Sequence, residues 1–453
     1  MKAQKLSRYN IIFDNDNKNI WMFNTLSGSM ISLKPEIYNL LKGNNVNEIK
    51  TKHNDIFINL KKNGIILDSD LDEINLLKYM YWKTKFLQNK LNLSLTITKD
   101  CNFDCKYCYE KKENISFSDD LIKRIIKLVN NKKDSIKYLD IGWFGGEPMM
   151  KMDIIEDMTN KFKDICKKNN IIYSSYITTN GYFLNLANFE KLLDLNVKSI
   201  QITIDGPKEY HDRLRPLKGD VGTYDKIISN LLEIRSKYTR ENLPKDFVFH
   251  LRVNVSEMNK DSLKGWLKND FPKELKDLIE IYFARIFSDG EKGSAASINA
   301  MDNDIFPINR GSSSGTVDLD KFVQKLKFNT NVQYGLHSSF LYCGADYYNN
   351  YVILPNGDIA KCGVTMEKFG ELNKNGEIII TNQGDYIKWM AKDPFTFNEP
   401  FEECEKCKLL PICMGGCSRI YKKFNKVGCF QYKNNIKEYL KSVRDSLMEN
   451  ESE

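Results

Sequence analysis

No apolar run in this 453-residue chain approaches the length of a bilayer span, so no membrane-crossing helix and no membrane partner are expected. The opening MKAQKLSRYN carries charge without the apolar segment of an export signal, which makes a reducing, cytoplasmic setting the expectation. Lysine and arginine total 67 against 60 aspartates and glutamates, a net charge of +7 that is mild for this length. No basic run with interleaved aromatics stands out, so nucleic acid is not an expected partner. Residues 1–88 lack cysteine altogether, and the eleven thiols of the chain all follow, most of them in groups. Grouped thiols in a reducing compartment are expected to bind metal rather than to pair as disulfides. A mean hydropathy of −0.47 fits a soluble chain of two or three domains.

What is present begins with Thr98-Lys99-Asp100-Cys101-Asn102-Phe103-Asp104-Cys105-Lys106-Tyr107-Cys108, which follows an alternating apolar run, Leu93 to Thr98, that reads as a strand. The thiols then sit on the loop leaving a strand's carboxyl end, where open α/β folds and barrels place chemistry. Three cysteines spaced CxxxCxxC can hold three corners of a four-iron cluster and leave one iron open. A zinc ion with one distant fourth ligand is the alternative. CxxxCxYC resembles the signature of the radical S-adenosylmethionine (SAM) enzymes. The resemblance implies that Cys101, Cys105 and Cys108 hold the cluster, that the open iron chelates SAM, and that Tyr107 packs near cluster and adenine.

Ahead of this loop, Tyr9 to Phe13 and Ile20 to Phe23 read as a hairpin around the turn-rich Asp14 to Asn17. Ser32 is expected to cap a helix over Ile37 to Leu41, with Pro35 in its first turn and Gly43 past its end. A second helix over Val46 to Lys62 and a strand Gly64 to Leu67 complete a winged-helix-like module at 1–88. The arrangement is similar to the PqqD-like domain, which implies binding of a precursor peptide's leader by strand addition. The alternative is a cap over the barrel. Leu71 to Leu87 reads as a connecting helix.

From 89 to 287 strands and helices alternate, as in a parallel sheet with helical crossovers. Strands are expected at Leu93 to Thr98, Tyr138 to Phe144, Ile171 to Thr178, Ser199 to Asp205, Val248 to Val255 and Ile279 to Phe287. Cys166 adjoins the apolar face of Ile155, Met158 and Phe162 and reads as packing. The fold class expected is α/β, a partial (β/α)6 TIM-like barrel. Several strand ends carry polar groups. Gly145-Gly146-Glu147-Pro148 resembles the family motif that holds the SAM ammonium, and Asn180, Thr203 and Arg252 fall where SAM contacts are implied. His211, Arg213 and Arg215 either face substrate or belong to a solvated loop.

The span 288–329 reads as a flexible linker from its Ser, Gly, Asn and Asp content. Beyond it, Cys343, Cys362, Cys404, Cys407, Cys413, Cys417 and Cys429 resemble the SPASM extension of radical SAM peptide and protein maturases, expected at 330–440, with a zinc ribbon as the alternative. The resemblance implies two auxiliary clusters, an outer one on Cys404, Cys407, Cys413 and Cys429 and an inner one on Cys343, Cys362 and Cys417. With the SAM cluster, three [4Fe-4S] clusters are expected. Two four-thiolate cubanes need eight thiolates and these are seven, so one ligand is missing. His337 or Asp346 can fill that place, or a cysteine of the substrate can.

Sulfatase-maturing relatives usually supply the eighth thiol from this chain and place a carboxylate after the cysteine matching Cys362. Here Gly344 to Asn350 hold no cysteine and Gly363 follows Cys362. The expected activity is therefore modification of a ribosomally made, cysteine-rich peptide by thioether cross-linking, fed by a flavodoxin or ferredoxin type reductant. Streptide-like carbon-carbon or carbon-oxygen cross-linking, sulfatase maturation and a non-catalytic peptide-binding scaffold are the alternatives.

Overall fold

The computed structural model describes residues 3–15, 18–43, 45–256, 259–285, 314–330, 336, 338–430 and 432–451. Its strands in chain order are β1 (Gln4–Leu6), β2 (Asn10–Asn15), β3 (Ile20–Asn24), β4 (Met30–Leu33), β5 (Ile66–Asp68), β6 (Lys90–Thr98), β7 (Tyr138–Gly145) and β8 (Ile172–Thr178). They continue with β9 (Val197–Thr203), β10 (Val248–Val255), β11 (Glu280–Arg285), β12 (Asn329–Thr330), β13 (Asn350–Ile353), β14 (Asp358–Ala360), β15 (Lys368–Leu372) and β16 (Ile378–Ile380).

The large sheet is built on β6. From β6 to β12 each strand pairs in parallel with the next, joined mostly by helices, and all six expected barrel strands are among them. Side-chain alternation explains why β6 forms here. Leu91, Leu93, Leu95 and Ile97 face one way into the core, while Asn92, Ser94, Thr96 and Thr98 face the other. The helix Asp119–Lys132 covers that core. Ser118 caps it by accepting the Leu121 N–H, and Leu121, Ile122, Ile125, Leu128 and Val129 form its buried stripe. Cys166 is buried on the same kind of stripe, on the helix Met152–Lys168.

On its other edge β6 pairs in parallel with β13, which continues antiparallel into β14, β15 and β16. The Pro355-Asn356-Gly357-Asp358 turn joins β13 to β14 as expected. The segment that carries the later cysteines is thereby stitched to the strand that launches the first cysteine loop.

Three expectations outside the barrel are corrected. Ser32 is no helix cap: it lies in β4 opposite Trp21, and the helix Pro35–Lys42 starts from Lys34 without a side-chain cap. The helix expected over Val46 to Lys62 is two, Val46–Lys52 and Asn54–Lys62, broken at His53. The break lets Val46, Ile49, Phe57 and Leu60 enter one core together. Within the expected linker, residues 288–313 lie outside the described residues. From Ser314 to Lys325 the chain is helical, because Leu319 and Val323 at i and i+4 bury one face.

The N-terminal strands do not stand apart from the C-terminal cysteine region. Ile11, Phe13 and Phe23 share one apolar core with Leu409, Ile412, Phe430 and Leu440. Tyr9, Leu77 and Tyr81 share another with Phe401, Leu410 and Met414. Lys408 Nζ donates to Asn10 O at 2.7 Å, and Asp14 pairs with Lys441 at 2.7 Å and with Arg444. Each large apolar side chain uncovered costs roughly 1.5–3 kcal/mol. Deleting residues 1–88 is therefore expected to lower bound iron by about four per chain, through loss of the outer thiol set, as read by iron assay after anaerobic reconstitution. Undiminished iron would show the shared core to be dispensable.

Candidate functional site

The loop after β6 is fixed from three sides. Gly146 N donates to Thr98 O and Glu147 N to Asp100 O, both at 2.9 Å, so the end of β7 lies directly against the start of the loop. A Cβ on Gly146 would stand 2.2 Å from Asp100 O, and one on Gly145 2.2 Å from Thr98 O, so no other residue fits this approach. Asp100 Oδ1 accepts the Cys101 N–H at 2.8 Å and the Lys218 ammonium at 2.8 Å. The third side is His211 to Pro216: Lys106 N donates to Leu214 O at 2.9 Å and Asp104 N to Pro216 O at 2.7 Å.

Tyr107 is held by a full set of hydrogen bonds. Its hydroxyl donates to Asp205 Oδ2 at 2.6 Å and accepts from Arg215 Nη1 at 2.7 Å and Asn254 Nδ2 at 2.8 Å. Arg215 also lies over the rings of Phe103 and Tyr107, 5.8 and 5.9 Å from their centroids. Asn254 donates to Asp205 Oδ1 at 2.9 Å and accepts from Arg252 Nε at 2.9 Å, which links Arg252 to the same network. Burial raises the Asp205 carboxyl, against the pull of Arg215 and the Tyr107 hydrogen bond.

His211 is fully buried in a structural role. Its Nδ1 accepts the Asp205 N–H at 3.2 Å. Thr223 Oγ1 donates to Arg215 O at 2.8 Å and so accepts from His211 Nε2, 3.0 Å away. The imidazole is thus the neutral Nε2–H tautomer, and burial followed by Arg215 depresses its protonation. His211 and Arg215 are neither substrate-facing nor solvated: they belong to the clamp on the cysteine loop. Arg213 is exposed.

Glu147 is fully buried with both carboxylate oxygens engaged inside the protein. Oε1 accepts from Met149 N at 2.9 Å and Thr179 Oγ1 at 2.7 Å, and Oε2 from Asn180 N at 2.7 Å. The carboxylate so ties the end of β7 to the end of β8. Asn180 Nδ2 donates to Asn102 Oδ1 at 2.8 Å and stands 3.9 Å from Cys101 Sγ. Thr203 is buried at the end of β9, in register with Arg252 on β10. The structure thus gathers Tyr107, Gly145, Gly146, Glu147, Asn180, Thr203 and Arg252 around one strand-end region.

The three thiols of the loop act on one another. Burial and the Glu147 charge push Cys101 up to about 12, and burial and Cys105 push Cys108 up to about 11. Burial also raises Cys105, with Arg215 opposing. Thiols so placed keep their protons unless a metal displaces them, and this donor set fits a cluster that keeps one iron open. Among the described residues no group of three or more His, Cys, Asp and Glu side chains is arranged to hold a metal ion. A single tetrahedral zinc, with sulfur at about 2.3 Å, draws thiolates closer together than a cubane does.

Farther along the chain, burial and the charges of Cys413, Cys407 and Cys429 push Cys404 up to about 12, and burial and Cys407 do the same to Cys413. Those four thiols lie near enough to act on one another. Their loop carries a left-handed run, Met414, Gly415 and Gly416 at φ 44°, 76° and 77°, that brings Gly416 against Gly428. Cys343 is an exposed thiol, and Asp346 and Cys417 both act to raise it. Cys362 instead acts on Tyr109, together with Cys108 and Arg252, and so lies toward the first loop.

One group of residues escaped the sequence reading. Lys392, Lys85 and Lys361 are buried. Lys392 Nζ pairs with Asp346 Oδ2 at 2.9 Å. Lys85 Nζ donates to Lys392 O at 2.9 Å, and Lys361 Nζ to Tyr347 O and Tyr348 O at 2.8 Å each and to Asn350 O at 3.1 Å. Burial pushes Lys85 down to about 8, with Asp346 opposing, and burial with Lys85 pushes Lys361 down to about 7. No spacing or motif marks these lysines, which look like ordinary surface charges. Asp346 also accepts from Tyr342 N at 3.1 Å and from the Ser418 hydroxyl, so its carboxylate is occupied. His337 lies outside the described residues.

Residues 95–263 match the family described as the radical SAM superfamily. The chain is 25% identical over 364 residues to a cysteine-type anaerobic sulfatase-maturating enzyme of Clostridium perfringens, covering 72% of this chain and 89% of that protein. It is 24% identical over 480 residues to the radical SAM cyclopropyl synthase TigE of Paramaledivibacter caminithermalis, covering 93% of this chain and 91% of that one. The solved structure of native anSMEcpe with bound AdoMet and Cp18Cys peptide matches with a TM-score of 0.55 at 18% identity, over 80% of this chain and 98% of that chain. That last likeness concerns the fold.

Proposed function

We propose that the protein, whose residues 95–263 match the radical SAM superfamily, is a radical SAM enzyme that modifies a ribosomally made peptide by joining a cysteine sulfur to a carbon of another residue. Cys101, Cys105 and Cys108 hold the SAM-binding cluster, which supplies the electron that splits SAM into methionine and a 5'-deoxyadenosyl radical. Around it Tyr107, fixed by Asp205, Arg215 and Asn254, orders the loop, and Thr203 and Arg252 are the side chains offered to SAM from the strand ends. Glu147 keeps β7 and β8 in register behind them. Residues 1–88 bind the leader, with β4 at the margin of the sheet β2-β3-β4 as the strand it extends. A flavodoxin or ferredoxin type reductant in the cytoplasm supplies the electron.

Cys404, Cys407, Cys413 and Cys429 hold an outer auxiliary cluster, and Cys343, Cys362 and Cys417 an inner one with a ligand position left for a peptide thiolate. The observation that supports this assignment is Asp346, one of the two side chains that could fill that position, whose carboxylate already accepts from Lys392, Ser418 and Tyr342 N. The reaction balances as one SAM, one peptide thiol and one C–H bond giving methionine, 5'-deoxyadenosine, a thioether and a proton. The electron that cleaves SAM is recovered when the carbon radical bonds to sulfur.

Co-expression with a cysteine-containing precursor tests this. Each ring is expected to remove two hydrogens from the peptide and to make one cysteine resist alkylation, both read by mass spectrometry. A modified peptide in which every thiol still alkylates would overturn the thioether. The likeness to a cyclopropyl synthase, which extends over nearly the whole chain, favours carbon-carbon bond formation as the second reading. That product also loses two hydrogens but keeps its thiols. Gly363, in place of a carboxylate, speaks against sulfatase maturation.

A further inference from the structure

The pair Lys392 and Asp346 has a second side. Both side chains are completely excluded from solvent, at 2.9 Å between Nζ and Oδ2. Lys392 also donates to Gly416 O at 2.7 Å, on the short segment joining Cys413 to Cys417. Asp346 is three residues from Cys343 and bonds the hydroxyl of Ser418, next to Cys417. Gly416 lies between Cys413 and Cys417, one thiol of each proposed auxiliary cluster.

An apolar pair of the same size would hold these loops together without the desolvation that two buried charges require. What an apolar pair cannot do is act on a neighbouring change of charge. Reduction of a four-iron cluster adds one negative charge, which a nearby ammonium favours and a carboxylate opposes, strongly so away from water. We infer that the buried Lys392–Asp346 pair sets the reduction potentials of the two auxiliary clusters and so the direction in which an electron moves between them. This rests on the reading that the seven later thiols hold iron and sulfur. Lys392 and Asp346 are positioning residues, acting through the clusters rather than on substrate.

The test is a redox titration of the reconstituted full-length protein followed by electron paramagnetic resonance. The signal of the SAM cluster, identified by its change on adding SAM, serves as an internal reference. Lys392→Met is expected to move both auxiliary midpoints to lower potential, and Asp346→Asn to move the inner one to higher potential. Each shift corresponds to about tenfold in the oxidised-to-reduced ratio at fixed potential, roughly 59 mV for one electron. The SAM cluster should stay in place, and Lys392→Arg should restore the wild-type values. A merely structural role would lower iron content or move both variants the same way. If Lys392→Met loses iron, the near-isosteric Asp346→Asn decides alone. Unchanged midpoints at full iron content overturn the inference and leave the proposed function standing. A wild-type chain with only about four irons overturns both.

Discussion

Replacing Cys101, Cys105 and Cys108 together by alanine is expected to abolish SAM cleavage and to reduce bound iron from about twelve to about eight per chain. The three thiols share one loop, and the loop is held without them: Asp100 by Lys218, Asp104 and Lys106 by the backbone of Pro216 and Leu214, and Tyr107 by Asp205, Arg215 and Asn254. The barrel should therefore fold in the variant while the first cluster is lost. Iron and sulfide assays, with 5'-deoxyadenosine measured under a strong reductant, separate the two effects. Stoichiometric zinc in the wild-type protein, or cleavage that survives the triple change, would contradict the assignment.

The second large effect is expected from Gly416→Ala. A Cβ at this position would lie 1.9 Å from Gly428 O, on a backbone already at φ 77°. No rotamer relieves that overlap, because the added atom has no torsion of its own and its neighbour is main chain. The segment from Cys413 to Cys417 must then part from Gly428, and Cys429 with it. Iron is expected to fall by about four, while the first loop, held by the end of β7 and by the backbone of Leu214 and Pro216, keeps its cluster and its uncoupled SAM cleavage. A variant with full iron would mean that the outer thiols do not depend on this crossing.

The parallel strands were legible because they are short apolar or alternating runs bounded by turn residues. Val248 to Val255 appears at the same residues in sequence and structure, four other strands differ by only a few residues at their ends, and of Ile279 to Phe287 the last two residues lie outside the described residues. The thiols were legible through spacing. What spacing could not show is which partner a polar side chain chooses. Glu147 in a glycine turn looks like a ligand group, and its spacing gave no sign that its oxygens also accept from Met149, Thr179 and Asn180. The run His211 to Pro216 looks like solvated charge, yet it buries two of its ionisable groups against the cysteine loop. Lys85, Lys361 and Lys392 come from a helix and two loops far apart in the chain, and only the fold brings them together. Ser32 was misplaced for a local reason: the backbone pairing of β4 with β3 took the residue before the helix began.

The closure of the first strands onto the last helix has a consequence for how the protein is made. Asn10 meets Lys408 across 398 residues and Asp14 meets Arg444 across 430. During synthesis the apolar face of Ile11, Phe13 and Phe23 leaves the ribosome with no partner, and its partners emerge last. The barrel can close early on contacts between successive strands, but this seam cannot. A chain that stalls before the C-terminal helix would present a sticky, unpaired surface at its oldest end. Heterologous production should then depend more on the completeness of the C-terminus and on chaperone supply than on the stability of the barrel, and C-terminal truncations should aggregate more readily than their small size suggests.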